Sequence, residues 1–306
     1  MLKEELKERY KKIFKREFKD FLKNIQRPPL NSIRVNTIKI SVEELKERLE
    51  RKGWKVEQFK WYGCGFFVHE PEFKLGSTLE FSLGYYYVQE ASSMIPPLIL
   101  DPQPGEIILD MCAAPGSKTT QIAQMMKNRG IIVANDVTLD RLVALGSNLQ
   151  RCGVANCIVT QMDGVKFAKL KQRFDRVLVD APCSGTGTLR SNPSIGKELS
   201  VAGIRRLSGL QKRLILAGFD ALKEGGVLVY STCSLEPEEN EEVINFLLKK
   251  KENVEVEKVK LKKFKMRKGL KSWEGRDFDE RVRLCGRIYP HDNFTDGFFI
   301  AKVRKE

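Results

Sequence analysis

From Gly105 onward the chain repeats one pattern: a short apolar run closing on a polar side chain, followed by residues with helical spacing. The runs are EIILDMC, GIIVAND, CIVTQMD, FDRVLVDAP and GGVLVYSTCS, and the helix-like stretches begin near Ser117, Leu139, Gln211 and Glu238. Strands alternating with helices imply βαβ units, so the pattern predicts an α/β fold with a doubly wound, mostly parallel sheet. Ligands of such sheets bind beyond the carboxyl ends of the strands. Asp110, Asp136, Asp163, Asp180 and Cys233 stand at or beside those ends, which predicts one shared site. The closing segment RIYPHDNFTDGFFIAKVRK has the spacing of a further hairpin.

The front of the chain follows a different pattern. Leu2, Leu6, Tyr10, Ile13, Phe14, Phe18 and Phe21 recur at three and four, predicting one amphipathic helix over 2–23, ended by Pro28-Pro29. SIRVNTIKI and WKVEQF read as strands. Between them Ser41 and Glu44 form a capping box for a helix closed by Gly53. A helix over VQEASSM should stop at Pro96-Pro97. The expected division is a small α/β module over 1–80 and the doubly wound domain over 81–306.

Charge points to a partner. The net charge is +14 over 306 residues. Residues 1–60 hold 18 basic and 10 acidic side chains, and residues 249–287 hold 15 and 7. Basic flanks around a nearly neutral middle suit a polyanion such as nucleic acid; solvated lysine faces are the alternative. No run approaches the ~18 apolar residues of a membrane span, and the N-terminal stretch has no apolar signal core. Seven scattered cysteines without a C-x-x-C pair, beside only two histidines, predict reduced thiols, no metal site and a cytoplasmic protein, expected to be a monomer.

The segment DMCAAPGSKTTQIAQMM is a strand, a turn of small residues and a helix. Ala113, Ala114 and Gly116 allow a ligand to approach the backbone, and the amides near Ser117 can receive an anion. Asp136, at the next strand end, can accept both hydroxyls of a ribose. The G-x-G-x-x-G fingerprint is absent. The phosphate-loop pattern also fails, since Ser117 separates Gly116 from Lys118 and Met111 stands where its first glycine belongs. S-adenosylmethionine fits better, with its carboxylate at the helix start and its ribose on Asp136. Asp163 either accepts from the adenine amine or merely caps a helix.

DAPCSGTGTLR and YSTCSLEPEEN place Cys183 and Cys233 at the fourth and fifth ends, each followed by serine. A lone cysteine is usually a small buried hydrophobe, and Cys64, Cys152, Cys157 and Cys285 are read so. Two thiols near Asp180, Lys118 and a sulfonium suit a nucleophile held as thiolate. Spacing alone does not choose between them.

These motifs, in this order and with RVNTIK, GYYYVQEASSM and DGFFIAK, resemble the Sun/Fmu (NOL/NOP) family of RNA cytosine-5 methyltransferases, from about residue 30 to the C-terminus. The resemblance implies a class I methyltransferase-like fold, S-adenosylmethionine as cofactor and ribosomal or transfer RNA as substrate. It assigns Cys233 as the nucleophile that adds to carbon 6 and Cys183 to the elimination that releases product. Asp180 would bond ring nitrogen 3 and, if its dry pocket holds it protonated, act as general acid, with Lys118 near the base. Asp110, Cys112, Ala113, Ala114, Pro115, Gly116, Ser117, Lys118, Asp136, Arg141, Asp163 and Asp180 fall at the family's cofactor positions. Arg34 and Asn36 fall at positions that help hold RNA. Two other readings are methylation of the cytosine N4 amine, whose usual N/D-P-P-Y/F loop is replaced here by DAPC, and a silent RNA-binding assembly factor.

Overall fold

The computed structural model describes residues 2–306 except 70, 72 and 172. Two helices, α1 (Glu4–Phe14) and α2 (Phe18–Ile25), stand where one was predicted. The break falls at Lys15, whose φ of 51° is left-handed. Across it Phe14 stacks on Phe21 with ring centroids 4.1 Å apart.

Next come β1 (Asn31–Val35), α3 (Val42–Arg51), β2 (Lys55–Gln58), β3 (Gly65–His69), a single turn α4 (Leu79–Ser82) and β4 (Tyr86–Val88). Among the described residues the four strands form an antiparallel sheet in the order β2-β3-β1-β4. Leu45 and Leu49 of α3 pack against Ile33, Val35 and Phe66 of that sheet. Ser41 and Glu44 make the expected reciprocal cap. The VQEASSM helix does not form: a 3-10 turn covers Ser92–Met94, and α5 (Ile95–Leu100) then begins. Pro96 and Pro97 sit in the first turn of α5 rather than ending a helix, because amide hydrogens there have no partner within the helix.

The second unit runs β5 (Ile107–Asp110), α6 (Ser117–Met125), β6 (Ile131–Asp136), α7 (Leu139–Cys152), β7 (Cys157–Gln161), β8 (Phe174–Asp180), α8 (Ile195–Glu198), α9 (Val201–Asp220), β9 (Leu222–Thr232) and α10 (Glu241–Lys250). It closes with β10 (Val254–Glu257), β11 (Arg267–Lys268), β12 (Ser272–Trp273), β13 (Arg276–Asp277), β14 (Gly286–Ile288) and β15 (Phe298–Lys305). Among the described residues this is a nine-stranded sheet in the order β11-β14-β15-β9-β8-β5-β6-β7, with β10 also paired to β15. Strands β5 to β9 are mutually parallel. The tail supplies the antiparallel pair β14–β15, and β15 adds itself to β9. The chain order reverses at β5, which lies between β8 and β6, and a parallel sheet opens its ligand crevice at such a reversal. Leu214, Ile215 and Phe219 of α9 with Val243 and Leu247 of α10 fill one face. Ile95, Ile99, Ile122 and Leu145 fill the other.

The N-terminal helices pack on the second unit. Leu6, Tyr10, Phe14 and Phe21 join one core with Leu189, Leu235, Trp273 and Tyr289. The Arg9 guanidinium, buried with them, donates to Glu236 Oε2 at 2.7 and 2.9 Å and to Glu238 Oε2 at 2.6 Å. Burial pushes the Glu236 carboxyl above the usual carboxylate range although Arg9 pulls it down. Removing one partner of such a pair leaves a buried charge uncompensated. Arg9→Ala should therefore destabilise the fold by about 3–5 kcal/mol, whereas Lys12→Ala, on the exposed face, should stay within about 0.5 kcal/mol. Chemical denaturation of the two variants checks this.

Candidate active site

The expected strand ends converge. A cleft of about 630 Å³ lies over the carboxyl ends of β5, β6 and β8, within the roughly 300–1,000 Å³ of small-molecule sites. Its lining includes Cys112, Ala114, Asp136, Arg141, Asp163 and Asp180, together with Cys183 and Cys233. A second pocket of about 210 Å³ meets it, lined by Ser93, Lys118, Thr188, Asp296 and Phe298 and sharing Asp180, Ala181 and Cys233. Asp180 and Cys233 thus stand on the wall between two cavities.

The larger cavity suits a nucleoside. Asp136 receives the Ala114 amide at 3.3 Å and the Thr138 amide at 3.2 Å, and Arg141 lies 3.2 Å away. Asp163 accepts from the Val165 amide at 3.1 Å, so it caps a turn and lines the cleft as well. Met111, Met162, Leu210 and Leu214 supply apolar walls. Carboxylates that accept from a ribose diol and an amine, set between apolar walls, are the acceptors that S-adenosylmethionine requires, so the residues present fit it. The α6 turn holds its shape because Gly116, at a φ of 103°, donates to the Ala113 carbonyl at 2.8 Å. Ala113, Pro115, Gly116 and Ser117 build this turn without lining the cleft. Asn135, which sequence reasoning missed, ties the strand ends together by donating to the carbonyls of Met111 and Met162 at 3.1 and 2.9 Å. Met162, Leu210 and Leu214 were missed because apolar residues in strands and helices carry no signal of what they face.

The smaller cavity is built around an ion pair. Lys118 donates to Asp180 Oδ2 at 2.6 Å and to Ser93 Oγ at 3.1 Å, and lies 5.4 Å from the Phe298 ring centroid. Burial pulls its pKa down, but the charge and hydrogen bond of Asp180 and the nearby Cys233 outweigh it, so the ammonium is held above the ordinary lysine value. Ser231 Oγ donates to Asp180 Oδ1 at 2.7 Å. Lys118 and Ser231 thus hold one Asp180 oxygen each and fix the orientation of its carboxyl. Lys118 brings a buried ammonium to this pocket.

The two thiols meet, with Cys183 Sγ 3.4 Å from Cys233 Sγ. Pairing of β8 with β9, which sets Asp180 opposite Ser231, brings their loops together. The loops then lock: the Gly187 amide donates to the Cys233 carbonyl at 2.8 Å and the Leu235 amide to Thr186 Oγ1 at 2.9 Å. A Cβ on Gly187 would fall 2.1 Å from the Gly297 carbonyl oxygen, so only glycine permits this approach. The hydrogen bond with Cys233, and then burial, push the Cys183 thiol well above its ordinary value. Burial and the surrounding carboxylates Asp110, Asp180 and Asp136 push the Cys112 thiol up as well.

Two expectations are corrected. Arg34 and Asn36 are not placed to hold RNA, because both are buried at the joint between the two units. Arg34 bonds Gln89, the Ser117 carbonyl and Thr120, while Asn36 donates to the carbonyls of Gly84 and Cys152 at 2.8 Å. Both side chains therefore tie the two units together, although the Arg34 Nε is left without a partner among the described residues. Asp110 does not line the cleft. It is fully buried behind it, with Oδ2 bonded by Thr119 at 2.7 Å and Oδ1 without a partner.

The profile of the 16S rRNA methyltransferase RsmB/F family matches residues 97–304, and that of the N-terminal domain of 16S rRNA methyltransferase RsmF matches residues 2–91. The chain belongs to this family. It is similar to the tRNA (cytosine(49)-C(5))-methyltransferase of Pyrococcus abyssi, with 49% identity over 98% of this chain and 95% of the relative. It is also similar to the human 28S rRNA (cytosine(4447)-C(5))-methyltransferase, with 41% identity over 94% of this chain and 36% of that one. A crystal structure of NSun6 from Pyrococcus horikoshii with SFG superposes with a TM-score of 0.87 at 29% identity, covering 99% of this chain and 98% of that one. The protein is thus an S-adenosylmethionine-dependent RNA cytosine-5 methyltransferase. Among the described residues no cluster of side chains suits a metal ion, and no helix is long and apolar enough to cross a membrane.

Burial pushes the Asp110 carboxyl up to about 7, against about 3.9 in an unfolded chain. The folded state therefore binds more protons than the unfolded one between those values. The contribution of Asp110 is intact below about pH 4 and lost as pH rises through 7. Asp110→Asn should raise the melting temperature at pH 8, and the gain should vanish near pH 4 in scanning calorimetry.

Proposed function

We propose that the substrate is tRNA, that Cys233 is the nucleophile and that Cys183 serves product release. The observation that carries the roles is the pair of thiols 3.4 Å apart, with Cys233 on the wall between a nucleoside-sized cleft and a pocket holding Lys118 and Asp180. The support for tRNA is the Pyrococcus abyssi relative, matched over 95% of its own length. Ribosomal RNA relatives, human and Aliivibrio fischeri, are matched over 36% and 60% of theirs.

Carbon 5 of cytosine is a weak nucleophile until carbon 6 carries a new bond. Addition of the Cys233 thiolate to carbon 6 pushes an electron pair into the ring and makes carbon 5 enamine-like. S-adenosylmethionine, when bound, supplies the electrophilic methyl group. Asp136 would hold its ribose, and the turn before α6 and the apolar walls would shape the rest. Lys118, the only cation lining the base pocket among the described residues, offsets the negative charge that addition places on the ring. Asp180 keeps acceptor capacity for the exocyclic amine, which distinguishes cytosine from uracil. Once carbon 5 has taken the methyl group, with S-adenosylhomocysteine as the leaving group, transfer of its proton to water lets the C–H electron pair restore the ring double bond, and the carbon–sulfur bond breaks with its pair returning to the Cys233 sulfur. A Cys183 S–H at hydrogen-bonding distance stabilises that departing thiolate. The base must be turned out of its stack to enter, which a looped region of tRNA allows at least cost.

Exposed lysines at 258, 260, 262, 263, 265 and 268 support phosphate contacts in place of Arg34 and Asn36. The test is nucleoside mass spectrometry of tRNA and ribosomal RNA transcripts incubated with the enzyme and S-adenosylmethionine. The expected product is 5-methylcytidine in tRNA; methylation of ribosomal RNA alone would overturn the substrate, and N4-methylcytidine would overturn the chemistry. Cys183→Ala should accumulate a protein–RNA adduct stable to denaturing electrophoresis, and Cys233→Ala should form none. The double variant should behave as Cys233→Ala, since loss of an upstream step hides a later one. Trapping in Cys233→Ala instead would reverse the two roles.

A further inference from the structure

One buried carboxylate touches the loops of both thiols. Glu239 lies in the turn before α10, fully buried. Its Oε1 receives the Ser184 amide at 2.9 Å and Gln211 Nε2 of α9 at 2.9 Å. Its Oε2 receives the hydroxyls of Ser184 and Ser234, which lie 3.1 Å from each other. Ser184 follows Cys183 and Ser234 follows Cys233, so one side chain bridges the residues next to both sulfurs. From this geometry we infer that Glu239 is a positioning residue that sets the distance between the two thiols.

The physical case rests on what else the two loops have. Backbone pairing of β8 with β9 ends at Asp180 and Ser231, before either cysteine. Beyond that point the chains diverge unless something joins them. The Gly187 amide ties its loop to the Cys233 carbonyl and Thr186 ties it to Leu235, but both lie three or more residues beyond Cys183; Glu239 joins the residue next to Cys183 to the residue next to Cys233. Four donors on a carboxylate shielded from water give strong, directional bonds. Burial pushes the Glu239 carboxyl up while the serine and glutamine donors pull it down. Tyr230, directed at the Glu239 carbonyl at 2.6 Å, anchors the backbone of the same residue. The charge of Glu239 also adds to the forces that push the Cys183 thiol up, and the Lys118 ammonium shares a pocket with Cys233.

This inference rests on the proposal that both thiols serve the reaction, so its test has a readout that needs no turnover. Phenylarsine oxide binds two adjacent thiols: two arsenic–sulfur bonds form, and the arsenic-bound oxygen leaves as water with the two thiol protons. The wild-type enzyme should bind one equivalent, and Cys183→Ala and Cys233→Ala should lose that binding. Glu239→Ala should weaken it by about tenfold or more. It should also lower kcat by about a hundredfold, the effect of misplacing reacting groups by roughly 1 Å, while KM for RNA and S-adenosylmethionine stays within about threefold. Glu239→Gln keeps a bridging side chain and should restore most of the arsenical binding. Should Glu239→Ala fail to fold, Ser184→Ala combined with Ser234→Ala removes the two hydroxyl donors and should show the same loss. A folded Glu239→Ala with unchanged arsenical binding and kcat, differing only in melting temperature, would overturn the inference. Loosened arsenical binding without any trapped adduct in Cys183→Ala would overturn the cysteine roles and leave the clamp standing.

Discussion

The active site depends on the pairing of β8 with β9. These strands are adjacent and parallel, and their register sets Asp180 opposite Ser231. The chain then leaves both strands in the same direction with a cysteine a few residues on. A one-residue slip in this pairing would turn alternate side chains to the opposite face. It would separate the thiols and take Ser231 from Asp180. The register is protected by burial on both faces: Val177, Val179, Leu228 and Tyr230 lie in one core, and Leu178 and Val229 in the other. Strand β15 covers the far edge of β9, so the catalytic pair stands well inside the sheet.

Elements far apart in sequence converge on that pairing. Arg9, in the first helix, neutralises Glu236 and Glu238 in the loop that follows Cys233. Arg287 on β14 does the same for Glu241 at 2.6 Å. The acidic run after Cys233 therefore faces inward, onto buried arginines from the basic flanks. Replacing such pairs by apolar residues is often neutral for stability, so their value here lies in fixing one geometry for the loop. Part of the positive charge that a composition argument assigns to RNA is thus used inside the fold.

Much of this was legible in sequence. Alternation of apolar runs with helical spacing located β5 to β9, and polar residues at their ends located Asp136, Asp163, Asp180 and Cys233. The limits have physical causes. Periodicity reports which face is apolar but not where a helix breaks, so α1 and α2 read as one. A proline pair reads as a stop, although it also suits a first turn. Arg34, Asn36 and Asp110 carry the polarity of ligand-binding residues, yet each is spent on the protein itself or sealed behind the cleft; partner atoms distant in sequence decide such cases. Glu239 went unremarked within a run of acids because its meaning lies in Ser184, 55 residues earlier.

The central claim is that the two thiols are adjacent but unequal, with Cys233 making the bond to the base. RNA carrying 5-fluorocytidine at the target position tests it directly, since fluorine cannot leave carbon 5 as a proton does and the adduct stalls. Incubation of the wild-type enzyme with this RNA and S-adenosylmethionine, followed by proteolysis and tandem mass spectrometry, identifies the bonded residue. The account predicts the nucleotide on the peptide containing Cys233. A nucleotide on Cys183 would contradict it.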